Sequence, residues 1–149
     1  MKGKLYIVTG ASGSMGSEAV RSLAAEGAAV IMACRSLRKG EAVRQSLLKE
    51  LPDADLRLKK LDLTDFDSIL AFTGSLAEAG VRVDGLFNNA GIVGHRGNIL
   101  NFDPVELKKA TEVNVFGTLY LTQHVSKYFV ENKITPKKTI KLLFVADEE

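Results

Sequence analysis

The chain has 149 residues, 46% of them apolar, which suits one buried core and leaves no room for a second domain of ordinary size. Its formal net charge of +2 is too small and too evenly spread to suit nucleic acid or a membrane surface, and its one cysteine, Cys34, excludes an intrachain disulfide and points to a reducing compartment. No stretch approaches the roughly 18 apolar residues of a membrane span, and MKGKLYIVTG does not read as a signal peptide, so a soluble cytoplasmic protein is expected.

The apolar run Leu5-Tyr6-Ile7-Val8 predicts a buried strand ended by Gly10. A helix is predicted over 14–26, with Ala19, Val20, Leu23 and Ala24 at helical spacing and Gly27 at its end. Ala28 to Cys34 predicts a second buried strand, and a helix over 38–51 follows, stopped by Pro52. The alternation in Leu56 to Leu61 predicts a third strand. Thr64 or Asp65 is placed to cap a helix over 66–79, which Gly80 closes. Val83 to Phe87 predicts a fourth strand. Asp103 is placed to cap a long helix from Pro104 to Glu131, and Thr139 to Val145 predicts a fifth strand. This alternation predicts one α/β domain over 1–149. It is a doubly wound parallel sheet of Rossmann type, five strands in order 3-2-1-4-5 with helices on both faces, cut off after the fifth strand.

The turn Thr9-Gly10-Ala11-Ser12-Gly13-Ser14-Met15-Gly16 joins the first strand to the first helix. Glycines there let the chain turn tightly, let backbone approach a pyrophosphate, and let helix pack closely on strand. The helix N-terminus offers free N–H groups and a positive dipole end to phosphates. An ordinary flexible turn is the plainer reading of a glycine cluster. Its position between a predicted strand and a predicted helix favours phosphate binding, with Thr9, Gly10, Ser12, Gly13, Ser14, Met15 and Gly16 as the residues involved.

Three further motifs are collinear with that turn: Asp62-Leu63-Thr64-Asp65 after the third strand, Asn88-Asn89-Ala90-Gly91 after the fourth, and Asn114 within Val113-Asn114-Val115-Phe116-Gly117. With them the sequence resembles the short-chain dehydrogenase/reductase family over nearly its whole length. The resemblance implies that Asp62 and Leu63 receive the adenine and that Asn89, Ala90 and Gly91 line the adenosine ribose. One departure is Ser14, where the family's commonest branch has glycine. Gly10, Gly13 and Gly16 fit instead the spacing of its extended branch, and the Ser14 hydroxyl is placed to donate to a phosphate oxygen.

In dinucleotide folds an acid at the end of the second strand bonds the ribose 2′-OH. Here that strand ends Cys34-Arg35-Ser36 with no acid, and Arg38 lies one turn further on. A guanidinium grips a 2′-phosphate with paired charge-assisted hydrogen bonds. Arg35, Ser36 and Arg38 therefore predict NADP(H) in preference to NAD(H). The plainer alternative is that both arginines are solvated surface charges.

The family's chemistry implies a tyrosine acid/base, a lysine four residues later, a serine after the fifth strand and an asparagine. Tyrosine titrates near pH 10 unaided, so a neighbouring cation must favour its phenolate. Four residues after Tyr6, Tyr120 and Tyr128 stand Gly10, His124 and Asn132, and the fifth strand is followed by Ala146-Asp147-Glu148-Glu149. Of the catalytic set only Asn114 is matched. The expectation is a cofactor-binding oxidoreductase relative that is inactive alone. The alternatives are a non-catalytic nucleotide-sensing or interaction module, or a subunit completed by another chain, only then taking a small carbonyl or alcohol substrate. Val115, Phe116, Leu119 and Leu121 suggest a homo-oligomer through the helix at 104–131. His95 and His124 are isolated, and no metal cluster is expected.

Overall fold

Alternate residues of a strand point to opposite sides, so a strand buried on both faces must be apolar at every position. Leu5–Thr9 (β1), apolar as far as Val8, and Ala29–Cys34 (β2) come close to that demand, and they lie at the centre of the sheet. In this computed structural model, which describes residues 1–94, 98, 100, 103–131 and 133, four strands run parallel in the order β3-β2-β1-β4. β3 is Leu56–Lys60 and β4 is Gly85–Phe87. The register pairs Ile7 with Ile31 and Leu86, and Cys34 with Lys60. The predicted fifth strand, Thr139 to Val145, lies outside the described residues, as does His95.

The helices are Ser14–Ala25 (α1), Leu37–Glu50 (α2), Phe66–Glu78 (α3), Pro104–Thr111 (α4) and Thr118–Glu131 (α5), with a π-helical segment, Glu112–Gly117, joining the last two. One apolar layer takes Ile7, Ile31 and Ala33 from the sheet and Ile69, Leu76, Leu121 and Val125 from α3 and α5. The other takes Val8, Val30, Met32 and Cys34 together with Val20, Ala24 and Leu47 from α1 and α2. The sheet is thus doubly wound, with both faces covered.

Two features depart from expectation. β4 begins at Gly85 rather than Val83 because Asp84 intrudes on the ladder. The Leu5 N–H donates to the Asp84 carboxylate at 3.0 Å, where a strand carbonyl would otherwise accept it. The long helix is not uniformly α-wound. It passes through the π segment, where the Thr118 hydroxyl donates five residues back to the Val113 carbonyl. Leu121 is buried in the core, so of the four apolar residues suggested for a subunit contact only Val115, Phe116 and Leu119 are exposed.

Asp65, not Thr64, caps α3, accepting from the Asp67 and Ser68 N–H groups. Asp65→Ala should cost about 1 kcal/mol, the ordinary value of a helix cap. Denaturant unfolding measures it, and a loss indistinguishable from zero would count against the cap.

Candidate functional site

The carboxyl ends of the four parallel strands deliver the sequence-predicted residues to one edge of the sheet. β1 runs into the glycine turn, where Gly10 takes φ +63° and its carbonyl accepts from the Gly13 N–H at 2.9 Å. Gly16 is buried on α1 against that turn. A Cβ there would run into the Gly10 carbonyl and stand 2.7 Å from Asn89 Nδ2. Gly13, Ser14 and Met15 are exposed at the helix tip. α2, α3 and α4 begin at Ser36, Asp65 and Asp103, whose side chains accept first-turn N–H groups. α1 begins at Gly13, with no side-chain cap. Its first-turn donors face the strand ends without a side-chain acceptor, next to a positive dipole end.

Thr9 and Asn89 are brought together, and their polar atoms serve the scaffold. The buried Thr9 Oγ1 accepts from the Asn89 N–H at 3.0 Å and the Ala90 N–H at 2.9 Å. Asn89 Nδ2 donates to the Thr9 carbonyl at 3.0 Å. The end of β1 and the end of β4 are therefore locked to each other directly beneath the turn. The preceding Asn88 donates to the Thr122 hydroxyl of α5 at 3.0 Å, a tie that its place in the Asn-Asn-Ala-Gly motif did not disclose. Ser12 faces inward to Cys34. Burial pushes the Cys34 thiol up, against hydrogen bonds from Ser12 and from the backbone of Ser12 and Ala11.

At the ends of β2 and β3, Arg35 and Arg38 are exposed, and neither forms an ion pair among the described residues. The Ser36 hydroxyl accepts from the Lys39 N–H as the cap of α2. Lys60, which the sequence reading did not single out, donates its ammonium to the Arg35 carbonyl at 2.5 Å. Asp62 accepts from the Thr64 N–H and hydroxyl. Burial raises the Asp62 carboxyl, but the Thr64 hydrogen bonds and the charges of Arg35 and Lys60 outweigh it, and the net result lies below the ordinary carboxylate value. Asp62 is therefore ionised at neutral pH. The Leu63 side chain is buried in the core, where Gly117 abuts it.

Asn114 projects from the π segment to the loop after β4. It accepts the Ile92 N–H and donates to the Ile92 carbonyl, both at 2.9 Å, and lies against Gly91. Tyr120 and His124 lie on the outer side of α5, both edge-on to Phe66 of α3. No helix among the described residues is long and apolar enough to cross a membrane.

A parallel sheet in this order, wound on both faces and opening through a glycine turn into its first helix, defines a Rossmann-type domain. The chain belongs to the short chain dehydrogenase family, whose model matches residues 4–135. It is 40% identical over 93 residues to the short-chain dehydrogenase/reductase drtF of Aspergillus calidoustus, a match covering 62% of this chain and 30% of that protein. The crystal structure of levodione reductase superposes with a TM-score of 0.80 at 29% identity, covering 89% of this chain and 51% of that one. A metagenomic short-chain oxidoreductase in complex with NADP superposes with a TM-score of 0.77 at 30% identity, covering 89% of this chain and 59% of that one. The chain thus spans about half the length of these solved relatives, or somewhat more, and less of the first.

Proposed function

We propose that residues 1–149 form the cofactor-binding domain of a short-chain oxidoreductase that takes NADP(H) in preference to NAD(H). The observation that carries this reading is the uncapped N-terminus of α1, standing at the same sheet edge as two unpaired guanidinium groups and an ionised carboxylate. First-turn N–H groups of Ser14, Met15 and Gly16 would hold the diphosphate, and Gly13 admits it because no Cβ stands in the way. Arg35 and Arg38 would grip the 2′-phosphate, and the Asp62 carboxylate with the Leu63 backbone would take the adenine. Thr9, Gly10, Ser12, Asn89 and Ala90 act beneath, keeping the turn in shape. Ser36 starts α2 at the ribose, and Asn114 fixes the Ile92 backbone beside Gly91, which would line the adenosine ribose.

The cofactor, when bound, supplies or accepts the hydride exchanged with a carbonyl or alcohol substrate. No Tyr-x-x-x-Lys occurs in the sequence, so these 149 residues alone should bind without turning over. Exposed Val115, Phe116 and Leu119 support self-association through the long helix, which sedimentation over a wide concentration range would reveal.

Calorimetry on the 149-residue chain with NADPH and NADH tests the reading. NADPH should bind at least about tenfold tighter, worth roughly 1.4 kcal/mol. Arg35→Asp should reverse the preference, because a carboxylate there repels a 2′-phosphate and accepts from a 2′-hydroxyl. Folded protein that takes up neither nucleotide at millimolar concentration would overturn it.

A further inference from the structure

The hydrogen-bonded ladder between β2 and β3 ends with the Leu61 N–H on the Cys34 carbonyl at 3.0 Å. The next carbonyl of the chain, that of Arg35, has left the sheet and would ordinarily turn to water. Instead the Lys60 ammonium, from the residue paired with Cys34, reaches across and donates to it at 2.5 Å. An exposed lysine bonded to a neutral carbonyl contributes little to folding, since ordering its long side chain offsets much of the gain. What the contact does do is fix the peptide from which the Arg35 side chain departs and from which Ser36 starts α2.

It also concentrates charge. Arg35, Arg38 and Lys60 bring three cations to one short stretch of surface, and the charges of Arg35 and Lys60 both act on the single carboxylate, Asp62. None of the three cations forms an ion pair among the described residues. Like charges gathered without partners oppose folding unless something anionic joins them. Lys39 follows them on the first turn of α2, so positive charge is in excess there, and a phosphomonoester at neutral pH carries about two negative charges.

We propose that Lys60 is a positioning residue for recognition of the 2′-phosphate: it holds the Arg35 peptide in place and adds its charge to the site. This rests on the cofactor reading above. A lysine that merely props the β2–α2 turn would affect both nucleotides alike, because the adenosine ribose of each would lie over that turn. A lysine serving the phosphate affects one of them.

The experiment is calorimetry on the full chain and on Lys60→Met, Lys60→Gln and Lys60→Arg with NADPH and NADH, with thermal melting to verify folding. Lys60→Met should weaken NADPH about tenfold and leave NADH within about twofold, the size of one lost charge-assisted contact. Lys60→Gln keeps a donor for the Arg35 carbonyl without the charge and should weaken NADPH in the same direction, while Lys60→Arg should restore it to within about threefold. Equal weakening of both nucleotides, or NADPH binding unchanged in both neutral variants, overturns the proposal while leaving the cofactor reading intact. Wild-type protein that binds neither nucleotide overturns both.

Discussion

Gly16→Ala should destabilise the chain by about 2 kcal/mol and abolish nucleotide binding, although alanine is the better helix former. On an open helix surface the substitution would gain roughly 0.5–1 kcal/mol. At Gly16 the added methyl meets backbone. It would run into the Gly10 carbonyl and stand 2.9 Å from the Gly10 carbonyl carbon and 2.7 Å from Asn89 Nδ2. The Gly10 atoms are backbone and the Asn89 amide is held by the Thr9 and Gly10 carbonyls, so either α1 lifts from the sheet or the turn is displaced. Both movements disturb the Thr9–Asn89 lock. Gly74→Ala provides the control, because a Cβ at Gly74 of α3 meets nothing within 4 Å. That substitution should be neutral or mildly stabilising. Parallel urea melts of the two variants make the comparison, and a Gly16→Ala protein as stable as the wild type would refute the packing account.

The second large effect concerns one hydroxyl. Thr9→Val keeps the shape of the side chain and removes the acceptor of the Asn89 and Ala90 N–H groups. Thr9 is only 1% exposed, so water does not readily replace it. Leaving a buried donor without a partner costs about 1–3 kcal/mol; the Asn89 N–H keeps the Phe87 carbonyl at 3.0 Å, so the Ala90 N–H alone is orphaned and a loss near about 2 kcal/mol is expected. Thr9→Ser retains the acceptor and should recover most of that, losing only the methyl contribution. Chemical denaturation separates the two, and equal stabilities for the valine and serine variants would show that the hydroxyl is not the important group. Because the lock sits beneath the glycine turn, the valine variant should also lose affinity for nucleotide.

The order of elements was legible because the central strands are unbroken apolar runs and the helices carry their own punctuation. Asp65 and Asp103 cap where their positions suggested. What remained hidden depends on contacts far apart in sequence. Thr9 meets Asn89 across 80 residues, and Asn114 meets Ile92 across 22, so residue type placed each near the site without disclosing what it would bond. The resemblance places Asn89 at the ribose, and what it could not disclose is that the amide nitrogen holds the Thr9 and Gly10 carbonyls. Nothing in the sequence distinguishes Lys60 from its neighbour Lys59, and only the pairing of β2 with β3 brings it to Arg35. The π segment left no mark in the pattern, since Val113, Val115 and Phe116 read equally well on an α-helix.

That segment gives the long helix a sensitivity its composition conceals. A π turn holds one residue more than an α turn, so the flanks of Glu112–Gly117 are out of phase with a uniform winding. Winding the same six residues as α-helix would rotate one flank by roughly 100° against the other. Either Leu121 and Val125 would swing out of the core, or Asn114 would turn away from Ile92. Substitutions can be absorbed along this helix position by position, but the wide winding between the two flanks cannot be exchanged for an α turn of the same length. A turn wide enough to absorb the surplus residue allows one rod to seal the sheet with one half and steady the loop after β4 with the other.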